Sequence, residues 1–355
     1  MTRTFYLAGT ASSPQAVSTQ FKDLVTSLSQ RGLTLVETFP ADFYISVNHN
    51  PKMYRKFRNS GGLAKNAALI MLEPPAVYPS QYLARVSRRY SIILAPGNFS
   101  SNKPLEHFIP WPYECIPNPS SPTDPDFELN ERVQENIDSL LFDYEEWSKR
   151  TYFLTMVNAN KVSAVKDENY SLRRIYAKQI DKKFLTVFGD LWGSSFLSKL
   201  LHRLSVLAFS IRNIFPPNLI HIYGNLHWKY LTSGGTVVDK QKIIQASKFS
   251  LIIENNESYV SEKLIDALIN GSIPVYFGPE LPISIIPNGI LISLPSNPNE
   301  LIPRLLKLDE SEIQNYLVNI CSYVSSQNFI ARWDKRIVFR QIATELAARF
   351  GGASE

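Results

Sequence analysis

The stretch from Lys248 to Pro279 constrains the fold of this chain more than any other. Phe249 to Ile253 is an apolar run of the length of a buried strand. A polar loop follows, and Ser261 stands where a helix would begin, its hydroxyl able to satisfy an orphan backbone N–H. Leu264, Ala267 and Leu268 recur at three- and four-residue spacing, as on one helix face. Gly271 suits a left-handed helix end, and Ile273 to Phe277 reads as a second strand. The spacing predicts a strand–helix–strand unit, a building block of parallel sheets covered by helices.

Ligands in open α/β sheets sit outside the carboxyl ends of the strands. Glu254, Asn255, Tyr259, Ser261, Glu262 and Lys263 fall at that place. A helix N-terminus offers free N–H groups and partial positive charge, which suits phosphate. Lys263 in the first turn opposes the helix dipole, a conflict that a bound diphosphate would remove, and Glu262 would accept from ribose hydroxyls. The residue pattern alone favours an ordinary capped surface helix with an exposed Glu–Lys pair, since such helix starts are common.

Apolar strand candidates alternate with helical patterns elsewhere too. Phe5 to Leu7, Leu33 to Val36, Phe43 to Val47 and Ala67 to Leu72 read as strands, and Val17 to Leu28 as one amphipathic helix. Six prolines between Pro110 and Pro125 mark a loop or extended crossing, because proline lacks the amide donor and fixes φ. Alternation resumes with Tyr152 to Val157, a helix over Leu172 to Ile180, and Phe184 to Phe188. These patterns predict a first domain over residues 1–150, its boundary falling within 110–150, a second over 151–330, and a terminal helix in 331–355. Ser195 to Phe215 carries an apolar stripe with a basic flank. It is expected to pack on the protein, with peripheral membrane contact as the alternative.

Hydrophobic residues make up 44% of the 355, and charged residues 19%, which excludes a disordered chain. The formal net charge of +5 reads as spread along the sequence, with small clusters at Arg55 to Arg58, Arg88/Arg89 and Lys182/Lys183. That suits an anionic small ligand better than nucleic acid. Two cysteines, Cys115 and Cys321, make no disulfide framework, and five histidines show no metal-ligand spacing. The first ten residues lack an apolar leader and no later run reaches bilayer length, so a cytoplasmic protein is expected.

Lys248-Phe249, Ile253-Glu254-Asn255-Asn256, Tyr259-Val260-Ser261-Glu262-Lys263, Pro274-Val275 and Gly278-Pro279 resemble, in order and spacing, the C-terminal signature of the family 10 α-1,3/1,4-fucosyltransferases. Ile253 stands where that family has Phe, Asn256 for Ser or Thr, and Ser261 for Thr. Phe153 to Asn160, Leu172-Arg173 and Val187-Phe188-Gly189 are similar to the first unit of the family's nucleotide domain. There Arg173 takes the place of an arginine on the donor pyrophosphate, with Arg174 as the competing neighbour. Met71-Leu72-Glu73-Pro74-Pro75 resembles the Glu-Ser-Pro segment whose glutamate is the general base. His107 to Tyr113 looks like the short aromatic segment that follows it.

The resemblance implies an α/β fold of the GT-B type, two Rossmann-like domains facing a cleft, with the last helix, around Ile337 to Phe350, crossing back to the first. It implies inverting transfer of fucose from GDP-fucose to an oligosaccharide or glycolipid hydroxyl. Glu73 would act as base, while Arg173 and Lys263 stabilise the departing diphosphate without a required metal. Another nucleotide sugar, or a silent carbohydrate-binding scaffold, remains open, because a fold does not fix a donor.

Overall fold

The computed structural model describes residues 3–9, 14–95, 106–108, 112–113, 128–161, 163, 165, 167–189, 192–194, 228–229, 237, 239–257, 259–283 and 285–351. The segment 195–215 lies outside them, as does nearly all of the proline-rich run. Backbone proximity divides the chain into two compact units. Met1–Glu114 with Ala331–Glu355 form one, and Cys115–Ile330 the other.

Unit 1 is a six-stranded parallel sheet in the order β2-β1-β3-β4-β5-β6. Its strands are β1 (Arg3–Ala8), β2 (Leu33–Leu35), β3 (Phe43–Val47), β4 (Ala67–Ile70), β5 (Ile92–Ala95) and β6 (Glu106–Phe108). Side chains alternate between two cores, as period-two strands buried on both faces must. Phe5, Leu7, Ile45, Ala68, Ile70 and Leu94 enter the first core, together with α1 (Pro14–Gln20), α2 (Lys22–Gln30) and the C-terminal helix (Lys335–Phe350). Tyr6, Tyr44, Leu69, Met71 and Ile93 enter the second, covered by α3 (Pro51–Asn59) and α4 (Ala84–Ser87).

The single helix expected over Val17 to Leu28 is two. The break falls at Phe21 (φ −112°, ψ 36°), whose buried ring meets Phe339 of the C-terminal helix edge-on at 5.8 Å. Tertiary packing thus overrides a continuous 3.6-residue pattern. The C-terminal helix packs along α2, and Arg31 donates to Thr344 Oγ1 at 2.9 Å. It ends at Gly351 in the left-handed conformation (φ 69°), where Arg3 donates to the Gly351 carbonyl at 2.8 Å.

Unit 2 holds a five-stranded parallel sheet in the order β13-β12-β11-β7-β8. In chain order its elements are α5 (Leu129–Asp138), α6 (Tyr144–Ser148), β7 (Tyr152–Val157), α7 (Tyr170–Gln179) and β8 (Leu185–Phe188). A short antiparallel pair follows, β9 (Gly193–Ser194) with β10 (Trp228–Lys229). Then come α8 (Lys240–Gln245), β11 (Ser247–Ile253), α9 (Glu262–Ile269), β12 (Ile273–Phe277), β13 (Ile292–Ser293), α10 (Pro298–Leu306) and α11 (Glu310–Val324). A last helix, α12 (Gln327–Trp333), leads back into unit 1.

The expected strand–helix–strand is β11-α9-β12, with β11 and β12 parallel in register Phe249↔Ile273 to Ile253↔Phe277. Gly271 has φ 63° and lies against the Leu141 carbonyl, so a side chain there would meet both backbone strain and overlap. Arg150 fastens this corner by donating to the carbonyls of Leu141 (2.6 Å), Ser247 (2.9 Å) and Gly271 (2.9 Å). The chain runs from β7 to β8 on one side and resumes at β11 on the other, so the strand order reverses between β7 and β11. Such a switch point opens the crevice where α/β sheets take ligands.

Candidate active site

In unit 2 the loop beyond β11 folds back upon itself. The Glu254 N–H donates to the Phe277 carbonyl at 2.8 Å, and its fully buried carboxylate accepts from Ser261 N (2.9 Å) and Ser261 Oγ (2.6 Å). Tyr259, also buried, lies within the loop so closed. Ser261 therefore does not cap α9 with its hydroxyl, contrary to the sequence expectation. The reason is the neighbouring carboxylate, a stronger acceptor, to which the hydroxyl donates, while Lys263 Nζ donates to Ser261 Oγ at 2.9 Å. Ser261 thus gives the N-terminus of α9 no hydroxyl cap, and the Glu262 carboxylate accepts from its own backbone N–H.

Electrostatics at this helix start are tightly coupled. Burial pushes the Glu254 carboxyl up, against the opposing pull of Lys263 and the Ser261 hydrogen bonds. Burial acts the same way on Glu262, yet the ammonium groups of Lys263 and Lys240 together outweigh it and hold that carboxyl at about 2. Lys263 Nζ is 3.5 Å from Glu262 Oε1, and Lys240 pairs with buried Asp266 at 2.5 Å. Glu262 and Lys263 are both partly exposed, the only charged pair of the loop's candidate residues to be so.

Arg173 is buried. Its Nε donates to the Ile253 carbonyl at 2.9 Å and Nη2 to Asn255 Oδ1 at 2.8 Å, with the guanidinium 5.0 Å from the Tyr170 ring centroid. Two of its three nitrogens thus bind α7 to the end of β11. Arg174 is half-buried instead and reaches the loop beyond β7, donating to the Lys161 carbonyl and to Ser171 Oγ, each at 2.9 Å. Asn255 accepts from Arg173 with its side chain and from Asn169 N with its carbonyl at 3.1 Å.

Among the described residues, three polar atoms along this carboxyl edge are buried without a hydrogen-bond partner: Asn158 Oδ1, Asn169 Nδ2 and Tyr276 OH. Asn158 follows β7, Asn169 precedes α7, and Tyr276 is the penultimate residue of β12. Sequence reasoning missed all three, since nothing in a sequence marks a polar atom as unsatisfied. Leaving such an atom unmet costs about 1–3 kcal/mol, and native proteins keep few of them. Burial and the charge of Glu254 hold the Tyr276 phenol far above its ordinary range, so it stays neutral and able to donate. Gly278 is required beside it, because a Cβ there would overlap the Tyr276 hydroxyl and come within 2.8 Å of Glu254 Cγ.

In unit 1, Glu73 lies just past β4 and is half-buried. Its backbone is clamped on both sides. Asn48 Oδ1 accepts from the amides of Leu72 (3.0 Å) and Glu73 (3.1 Å), while Gln81 Nε2 (2.7 Å) and Tyr82 OH (2.6 Å) donate to the Glu73 carbonyl. Asn48 ends β3 in the left-handed region (φ 55°), which asparagine tolerates better than most residues. Gln81, fully buried, also accepts from His49 N at 3.2 Å and so links the ends of β3 and β4. Arginine only donates, so the 3.3 Å contact from Arg89 makes His49 Nε2 an acceptor. Nδ1 then carries the hydrogen, 2.6 Å from Tyr90 OH. Burial first, then Arg89, lowers His49 to about 4, keeping it neutral. Of the aromatic segment 107–113, Tyr113 is buried and exchanges backbone hydrogen bonds with Trp333 and Lys335 at the entry to the C-terminal helix.

Among the described residues no cluster of three or more His, Cys, Asp or Glu is placed to hold a metal, and no helix is long and apolar enough to cross a membrane. No protein-family model matches the sequence, and no curated protein matches it. Solved structures do resemble it over nearly their whole length. An α1,3-fucosyltransferase is 15% identical, with 99% of this chain and 91% of that one aligned at a TM-score of 0.56. An α1,3-fucosyltransferase with GDP-fucose is 16% identical over 100% and 93%, at 0.55. Anabaena HepE in complex with UDP is 10% identical over 98% and 100%, at 0.51. At such identities the likeness is one of fold: this chain has the α/β architecture of the GT-B glycosyltransferases.

Proposed function

We propose that the protein is an inverting glycosyltransferase that moves fucose from GDP-fucose to a hydroxyl of an oligosaccharide or glycolipid. The observation that carries this reading is the carboxyl edge of unit 2. At the switch point of its sheet, a helix N-terminus that Ser261 does not cap, with Lys263 in its first turn, shares the carboxyl edge with buried polar atoms that have no partner among the described residues. That is the chemistry a nucleoside diphosphate completes: phosphate on the helix amides and ammonium, polar ligand atoms on the unmet groups. The match of residues 248–279 to the fucosyltransferase signature supports the guanosine donor and the sugar.

In this mechanism an acceptor oxygen attacks the anomeric carbon as Glu73 takes its proton. The bond from that carbon to the diphosphate breaks, and the leaving electron pair is stabilised by Lys263 and the α9 amides. Glu262 accepts from the donor's hydroxyls. Glu254, Ser261 and Tyr259 hold the loop in shape, and Arg173 fixes Asn255 at the end of β11. Arg174 is the better placed of the two arginines to reach phosphate, since it stands over the loop beyond β7 with its side chain partly open to solvent.

Calorimetric titration with GDP, UDP and CMP tests the reading, in the wild type and in Lys263→Ala. Selective GDP binding, weakened at least tenfold by the substitution, is the expected result, a lost charge-assisted contact being worth about 1.5–3 kcal/mol. Selective UDP binding would keep the transferase and change its donor, a reading favoured by the shared fold of HepE in complex with UDP. Binding of none of the three would leave a carbohydrate-binding scaffold without transfer.

A further inference from the structure

The charge of this protein is concentrated rather than spread, which corrects the impression given by the sequence. Between Asn48 and Ala95 there are eight basic residues and one acidic residue, Glu73, against a formal net charge of +5 for the whole chain, so the remainder carries a small acidic excess. The fold gathers these cations on one side of unit 1. In α3 the core-facing residues are Tyr54 and Phe57, and at 100° per residue Lys52, Arg55 and Lys56 lie on the opposite face, flanked by Arg58. Lys65 follows in the next turn. In α4, Val86 and Ser87 are buried while Arg85 and Arg88 project. The two helices cover the same face of the sheet, joined by Tyr54 OH donating to the Arg89 carbonyl at 3.0 Å and by the Tyr54–Tyr90 ring contact at 5.5 Å. Seven cations (Lys52, Arg55, Lys56, Arg58, Lys65, Arg85, Arg88) are exposed, and among the described residues none is in an ion pair.

We propose that this face docks on an anionic lipid bilayer. Like charges on neighbouring helix turns repel, so a surface of this kind is stabilised by an opposite charge from outside the molecule. Each cation at an anionic membrane strengthens binding about fivefold. The patch also carries what an interface needs beyond charge. Leu63, at the tip of the Gly61–Gly62 turn between the α3 cations and Lys65, is 49% exposed and able to enter the headgroup region. Single-stranded nucleic acid, the other common polyanion, is bound through exposed aromatic rings, and here Tyr54, Phe57 and Tyr90 all face inward. The inference rests on the surface of unit 1 alone and stands or falls apart from the donor assignment.

Flotation with vesicles of phosphatidylcholine alone, and of phosphatidylcholine with phosphatidylglycerol, tests it on the full chain. The protein is expected to float with the anionic vesicles only, and to be released as salt shortens the Debye length to about 3 Å at 1 M. The triple variant Arg55→Ser/Lys56→Ser/Arg58→Ser is expected to bind about a hundredfold more weakly. Leu63→Ser is expected to lose severalfold at unchanged charge, while Lys182→Ser/Lys183→Ser in unit 2 floats as the wild type does. Circular dichroism and thermal unfolding of the triple variant, matched to wild type, check that it is folded. The proposal is overturned if anionic vesicles are not bound at low salt, if the triple variant floats like the wild type, or if an RNA oligonucleotide binds this face while vesicles do not.

Discussion

Replacing Glu254 tests the architecture of the loop beyond β11, because its carboxylate is the point on which the start of α9 is hung. Two donors from Ser261 reach it at 2.9 and 2.6 Å, and both residues are buried, so water cannot replace what is removed. Each hydrogen bond to a charged acceptor contributes about 1.5–3 kcal/mol, and desolvation of the buried carboxylate, seen in its raised pKa, offsets part of the pair. Glu254→Ala should therefore cost about 3 kcal/mol locally, leaving the Ser261 amide and hydroxyl unmet. Glu254→Gln keeps an acceptor for the amide and a donor for the hydroxyl oxygen and removes the desolvated charge, so it should stay within about 1 kcal/mol of wild type.

The pH dependence has a definite sign. A folded pKa above the unfolded value means that the folded state holds the proton more tightly, so this group's contribution is largest in acid. That contribution falls as pH rises from the ordinary carboxyl value through the raised one. Glu254→Gln should accordingly gain on wild type across that window. Hydrogen exchange of residues 254–269 is the assay, since two compact units need not unfold together. About 3 kcal/mol corresponds to roughly a hundredfold loss of protection. Equal protection in Glu254→Ala and wild type, or a glutamine variant as weak as the alanine one, would refute the reasoning.

Other outcomes follow from the same geometry. Tyr276→Phe removes a buried hydroxyl that has no partner among the described residues and should stabilise unit 2 of the ligand-free protein by about 1 kcal/mol, read by hydrogen exchange in β11 and β12, while weakening GDP binding. A loss of stability would mean that the hydroxyl is satisfied within the protein. Gln81→Leu severs both the His49 amide and the Glu73 carbonyl from their shared partner. It should lower kcat about tenfold or more with little change in the KM for donor, and Gln81→Glu should not rescue it, because a carboxylate cannot make the amide's donation to the carbonyl, which keeps only Tyr82 OH on that side. An unchanged kcat, or a loss confined to the donor KM, would remove Gln81 as a positioning residue for Glu73. His49 has a folded pKa of about 4, below its unfolded value, so it stabilises unit 1 fully above about pH 6.5 and that contribution is lost as pH falls toward 4, by up to about 3 kcal/mol. In His49→Gln the acid limb of unit 1 stability, followed by hydrogen exchange in β3 and β4, should flatten, and an unchanged limb would point to other groups.

Much of this protein is local and therefore legible in its sequence. β3, β7 and β12 begin and end where the apolar runs do, because a strand buried on both faces needs only continuous apolar side chains, whatever its neighbours. Gly271 marks a helix end by its own conformational freedom. The loop residues Glu254 to Lys263 stand at the carboxyl end of β11 because strand, turn and helix follow one another in the chain. What the tertiary structure alone decided are the relations between distant segments. It turned Arg173 inward onto Ile253 and Asn255 and left Arg174 over the β7 loop, a choice between neighbours set by where β11 lies. It took the Ser261 hydroxyl from its own helix for a carboxylate seven residues earlier, and broke the first helix at Phe21 against a ring more than three hundred residues away. It also gathered scattered arginines and lysines into one face, since the sum of charge along a chain says nothing about which helices share a side of a sheet. Spacing fixes what a segment can do by itself; burial and electrostatics depend on what the fold brings beside it.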